Sequence, residues 1–316
     1  MPLLLITALL FAIEDGRLIR EKGVATAIDL TSTWVTDADM AKLARMPELR
    51  RIDLSETRVT DAGLELLKPL QNVGELNCYY AEFLTDDGVR HLRGWKHLER
   101  LNLRGTRVTS KVFEHLAQLT SLRWLDLAFT EIDDEGFEHL ASLTRLEHLA
   151  IGGNRLNGSG LKLLKLLPSL TSLDAGGIQR VDSGLWGLPL TDQNLQRIGE
   201  LTQLKRLSLA GATLSDRDVD RPGHPEAERR ELRDLSALAR LVHLEMLDLS
   251  RQPVTTDALK ALAQLPRLLE LRLGLAKTLD DSAAPILRSM KGLRSLYISG
   301  SKMAPATAAS LVQPRP

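Results

Sequence analysis

The sequence predicts an α/β solenoid, a stack of short strand–helix units, and three observations carry that reading. The stretch from Leu98 to Leu143 contains two near-identical copies, with Leu98, Leu101 and Leu103 in register with Leu122, Leu125 and Leu127. Thr106 matches Thr130, Val108 matches Ile132, Phe113 matches Phe137 and Leu116 matches Leu140, a period of 24 residues. Self-similarity at a fixed period of about 20–50 residues marks a repeat architecture, in which each unit packs on its neighbours. Second, the pattern L-x-x-L-x-L returns along most of the chain. Third, the apolar residues are overwhelmingly aliphatic: they make up 43% of the 316 residues, while aromatics make up 4%. Such a composition suits identical stacked layers.

The repeating unit can be justified segment by segment. Its L-x-L core alternates with period two, which predicts a short strand with one buried face. The Thr-Asp pairs Thr36-Asp37, Thr60-Asp61 and Thr85-Asp86 stand where a helix should begin, and either side chain can cap orphan N–H groups. A following G-L-x-x-L-x-x-L run places Leu64, Leu67 and Leu70 on one helical face. Between strand and helix a second threonine recurs at Thr33, Thr57, Thr106 and Thr130, with Asn154 in the sixth unit. It is expected to satisfy backbone groups of neighbouring coils.

The central apolar residue of the strand falls at Ile28, Ile52, Leu76, Leu101, Leu125, Leu149, Leu173, Leu207, Leu247, Leu271 and Leu296. The spacings are 24, 24, 25, 24, 24, 24, 34, 40, 24 and 25, giving eleven repeats of which two are enlarged. The repeat domain is therefore expected over residues 25–316, with enlarged repeats at 170–203 and 204–243. The first enlargement inserts about ten residues around Gly176–Pro189 and contains Trp186. The second inserts about sixteen around Arg217–Arg233. Insertions in repeat arrays commonly gather on one face, often the binding face, although long loops are also tolerated at little cost.

Residues 1–24 precede the first repeat. Pro2–Ile13 is apolar apart from Thr7, too short for a membrane-spanning helix, which needs about 20 residues. It reads either as a leader, despite lacking a preceding Lys or Arg, or as a cap over the open end of the stack. Cytoplasmic or exported location depends on that choice.

These motifs resemble leucine-rich repeats, in particular bacterial repeats of the form L-x-L-x-x-T-x-V-T-D-x-G-L. They are similar to the cysteine-containing repeats of F-box proteins with threonine in the cysteine slot. The resemblance covers Ala25 to about Leu311. It implies a horseshoe arc with parallel strands on a concave face and helices on a convex one. A ubiquitin-ligase role is not expected, because such proteins carry an F-box ahead of the repeats.

Charge and composition narrow the function. With 41 basic and 41 acidic residues the formal net charge is zero, so no nucleic-acid partner is expected, since that requires a basic stripe. The single cysteine, Cys78, falls on the buried strand column and reads as a core residue. His91, His115 and His139 share a helix column, but stacked helices lie about 8–10 Å apart, too far for three ligands on one metal. Asp29, Asp53, Asn77, Asn102, Asp126, Asp174 and Asp248 form a strand column about 5 Å apart. Paired carboxylates could hold a hard cation, and like-charge crowding there would raise some of their pKa values. No catalytic residue, metal site or cofactor is expected.

Surface recognition remains. Outward positions of the second to sixth repeats present Arg51, Tyr79, Tyr80, Arg100, Arg104, Trp124, Phe129 and His148, and Trp, Tyr and Arg dominate binding hot spots. The reading is a non-enzymatic, monomeric protein-binding module that holds a protein partner on its strand face. Trp124, Tyr79, Arg100 and Arg104 are its anchors, and the inserted loops, with Trp186, a second contact. Recognition of a glycan or another non-protein ligand is the alternative if the chain is exported. A metal-dependent site along the Asp column is a further one.

Overall fold

In the computed structural model, residues 16–181, 184–212 and 231–312 are described. The expectations placed on Pro2–Ile13 and on most of Arg217–Arg233 lie outside these residues. The chain divides into two compact units, residues 1–147 and 148–316.

Among the described residues the first unit holds six strands. β1 (Arg17–Glu21) and β2 (Val24–Asp29) form an antiparallel hairpin. Its two turn residues, Lys22 and Gly23, both have positive φ, 50° and 83°, the conformation that matches the twist of tight hairpins. β3 (Arg51–Asp53), β4 (Glu75–Asn77), β5 (Arg100–Asn102) and β6 (Trp124–Asp126) follow in parallel. Ile28, Ile52, Leu76, Leu101 and Leu125 face one another in register. All five are buried at 3% exposure or less. Each buried leucine-sized side chain contributes about 1.5–3 kcal/mol, so a slip by one residue, which would turn this column to solvent, is strongly disfavoured.

The helical side of the first unit mixes two geometries. α1 (Asp37–Leu43), α2 (Asp61–Leu67), α3 (Asp86–Val89) and α4 (Val112–Leu116) are α-helical. Arg90–Gly94 and Phe137–Ser142 are 3₁₀ turns. The mixture follows from the leucines: a spacing of three eclipses side chains on a 3₁₀ helix, so L-x-x-L-x-x-L is satisfied by either form. Between the helices and the sheet lie Trp95, Phe113 and Phe137, all essentially inaccessible. The two phenylalanine rings meet edge to face with centroids 5.1 Å apart.

The second unit repeats the scheme with β7 (His148–Ala150), β8 (Ser172–Asp174), β11 (Arg206–Ser208), β12 (Met246–Asp248), β13 (Glu270–Arg272) and β14 (Ser295–Tyr297). Leu173 pairs with Leu207 and Leu207 with Leu247, so both enlargements leave the parallel ladder in register. The first enlargement is an antiparallel hairpin of β9 (Gln179–Val181) and β10 (Gly184–Trp186) rather than a loop. The chain then enters α5 (Asp192–Gly199) through the Thr191 cap. The second enlargement rejoins the repeat at Leu232, which bridges to Val254. α6 (Thr256–Leu262), α7 (Ala284–Ser289) and α8 (Pro305–Val312) complete the unit. No helix among the described residues is long and apolar enough to cross a membrane.

The polar columns hold each coil in shape. Thr33, Thr57, Thr106 and Thr130 donate their hydroxyls to the carbonyl three residues back in their own coil, at 2.6–2.8 Å. Asn154 does the same with its amide, to Ile151. These groups close their own turn, because the chain reverses within those four residues. Gln252 reaches the preceding coil: its Nε2 donates to the Leu209 and Ala212 carbonyls. Ala212 occupies the threonine slot there and has no hydroxyl to offer.

Three residues after each strand of the parallel ladder the chain passes through a left-handed residue. In order these are Ser32, Glu56, Tyr80, Gly105, Phe129, Gly153, Gly177, Gly211, Arg251, Leu275 and Gly300, with φ from 50° to 99°. Glycine adopts this conformation freely, whereas a bulky side chain there is strained.

Candidate functional site

The open strand face of the first unit is built from two rows. The outer row runs Arg51, Glu75, Arg100, Trp124, residues directly opposite one another in the ladder. Here the Arg100 guanidinium lies over the Trp124 ring, 4.7 Å from its centroid, and 3.7 Å from Glu75. The inner row is Asp29, Asp53, Asn77, Asn102 and Asp126. Each turns its side-chain oxygen back to the N–H two residues on: Thr31, Ser55, Tyr79, Arg104 and Ala128, at 2.8–3.2 Å. In the second unit Asp174 and Asp248 do the same to Gly176 and Ser250.

At Asp29 this geometry runs against the expected rise in carboxylate pKa. Hydrogen bonds from Thr31 hold Asp29 below the usual carboxylate value. The column also mixes in other groups: the Asn77 amide donates to Asp53 at 2.8 Å, and Arg104 lies 3.4 Å from Asp126. Among the described residues no three His, Cys, Asp or Glu side chains are placed to hold a metal ion.

Along the edge where the strands end, aromatic side chains gather. Tyr79 and Tyr80 meet edge to face, centroids 4.7 Å apart, and the Tyr80 ring lies over the backbone of Gly105, where a Cβ would fall 2.7 Å from it. Arg104 stacks on Phe129 at 4.6 Å while reaching Asp126, so this arginine is committed inside the fold as well as lining the edge. Two aromatics that sequence reasoning passed over are more exposed than any of these. Trp34 is 77% exposed and carries the Arg58 guanidinium 5.0 Å above its ring; Phe83 is 50% exposed.

Both carried a signal. Trp34 stands in a column otherwise filled by Arg58, Glu82, Arg107 and Glu131. Phe83 is the additional residue of the 25-residue third repeat, pushed outward while Leu84 takes the buried slot.

Two further binding candidates belong to the second unit. His148 shares a hydrogen bond of 2.9 Å with Ser172. Trp186 sits on the hairpin opposite Gln179, half-buried, with Arg155 5.8 Å above its ring. Cys78 is wholly buried, and burial with the nearby Asp53 charge pushes its thiol far up. Of the three histidines, His115 is bonded through Nδ1 to Arg93 and His139 is exposed, so the column converges on nothing.

A family model described as a leucine-rich repeat matches residues 118–141. No curated protein matches the chain in sequence. Among solved structures, an internalin (InlF) from Listeria monocytogenes aligns at 17% identity with a TM-score of 0.61, over 97% of this chain and 84% of the internalin. Internalin C2 from the same organism aligns at 24% identity and a TM-score of 0.51, over 72% of this chain and 81% of its own. At these identities the likeness establishes the fold, an α/β leucine-rich-repeat solenoid.

Proposed function

We propose that this chain is a non-enzymatic protein-binding module. It engages its partner with the open strand face and the adjoining aromatic edge of its first unit. Arg51, Tyr79, Tyr80, Arg100, Arg104, Trp124 and Phe129 make that surface together with Trp34 and Phe83. In the second unit, His148 and the hairpin bearing Trp186 are secondary contacts. The repeats are read as a bacterial variant of the cysteine-containing type, with threonine in the cysteine slot.

One observation carries the reading. Tyr80 and Phe129 occupy left-handed positions where five sister repeats use glycine. A side chain retained against a backbone cost of about 1–2 kcal/mol points to a use for its outer surface. Rigid rings and guanidinium groups already stacked on one another also lose little freedom when a partner covers them.

The test compares retention of partner proteins from native-source extract by the wild-type chain, a Trp34→Ala/Trp124→Ala variant and a Tyr297→Ala variant. Tyr297 is 51% exposed in the second unit and serves as the control. The reading stands if one partner is retained by wild type and the control but lost by a double variant of unchanged melting temperature. Equal retention by all three overturns it.

A further inference from the structure

On the aromatic edge of the first unit lies an open cleft of about 360 Å³, lined by Glu56, Thr57, Arg58, Tyr80, Glu82 and Phe83. We infer that this cleft receives a single basic side chain, lysine or arginine, from the partner. The inference rests on the protein-binding reading above and names the chemistry of one contact within it.

The walls arise from three features. Glu56 and Tyr80 are the left-handed residues of consecutive coils, with φ of 55° and 50°, which turns both side chains to the same edge. Tyr80 is braced by Tyr79 on one side and the Gly105 backbone on the other. The additional residue of the third repeat then thrusts Phe83 outward beside Glu82. Two aromatic residues and two glutamates thus line one small space beside Thr57 and Arg58.

That combination selects a cation on an apolar stem. Lysine and arginine lay their methylenes along apolar surface while the charged head seeks acceptors. A cation over an aromatic face is attracted by the ring quadrupole, and a carboxylate makes the stronger, charge-assisted hydrogen bond. Among the described residues neither Glu56 nor Glu82 has an ion-pair partner; Glu56 accepts only the Ser32 hydroxyl, at 2.6 Å. Arg58, the one cation of the lining, holds its guanidinium 5.0 Å over the Trp34 ring, and the two glutamates leave the lining with a net negative charge. The volume lies at the lower end of the range of small-ligand sites, which suits one side chain and not a folded surface.

The test titrates the ¹⁵N-labelled full chain with three capped pentapeptides, Gly-Gly-X-Gly-Gly, where X is arginine, lysine or norleucine. Arginine or lysine should shift the amides of residues 56–58 and 80–83, while norleucine leaves them in place. Affinity should fall at least tenfold in Glu56→Gln/Glu82→Gln, and also in Phe83→Ala, which tests the wall should the double variant fold poorly. No response to either basic peptide, or an equal response to norleucine, overturns the inference. If that happens while partner retention still depends on Trp34 and Trp124, only the cleft assignment falls. Loss of that dependence as well removes the binding reading.

Discussion

The carboxylate of Asp61 receives both the backbone N–H and the hydroxyl of Thr85, at 2.8 and 2.7 Å, across 24 residues of sequence. Thr85 in turn caps its own helix at the Asp87 N–H. The same joint links Asp37 to Thr60 and Asp86 to Thr109. Each helix start is thus tied to the coil before it, so that local capping and coil stacking share one threonine. Asp61→Ala should destabilise the chain by about 1–2 kcal/mol, the cost of leaving half-buried donors without an acceptor, read by denaturant unfolding. Gly88→Ala should strain the same joint, since its Cβ would fall 2.5 Å from the Asp61 Oδ1.

The left-handed column predicts an inverted substitution rule. At an ordinary strand or helix position alanine is more stable than glycine, whereas at Phe129, with φ of 56°, Phe129→Gly should exceed Phe129→Ala in stability by about 1 kcal/mol. Equal or reversed midpoints in urea would show that the turn relaxes out of this conformation.

Gln252 and Ala212 form a testable pair. Gln252→Ala removes both donors to the preceding coil and should cost about 1–3 kcal/mol. Adding Ala212→Thr restores a hydroxyl within bonding distance of the Leu209 carbonyl, as in the sister repeats, and should recover part of that loss. A double variant no better than the single one would rule out this division of labour.

His115 sets a pH effect of defined sign. Burial first, then the neighbouring Arg93 guanidinium, holds its pKa below the ordinary value of 6.5. The unfolded chain therefore takes up a proton at higher pH than the folded one. Stability supplied by the neutral imidazole is full above about 6.5 and is lost as pH falls below it towards the folded value. His115→Gln should flatten the stability profile in that window; an unchanged slope would assign it to other groups.

Cys78 offers a probe of opening. Its buried thiol is held protonated far above the normal range, so iodoacetamide at pH 8 should label it only as fast as the first unit unfolds. Labelling at the rate of a free thiol would place it at the surface.

The period of 24 residues already determined the strands, their register and the columns, because residues one period apart must become neighbours once coils stack. Leu101 beside Leu125, or Thr60 as a helix cap, needs nothing more than that spacing. Tertiary structure alone decided which neighbour each polar group chose. Asp61 could serve its own helix or the next coil's threonine, and only the separation between coils settles it. The same holds for the Asp column, whose carboxylates turned to the backbone N–H two residues on rather than to one another. It holds also for Phe83, which local sequence could have placed in the core. Leu84 fills the buried slot and Phe83 is left 50% exposed.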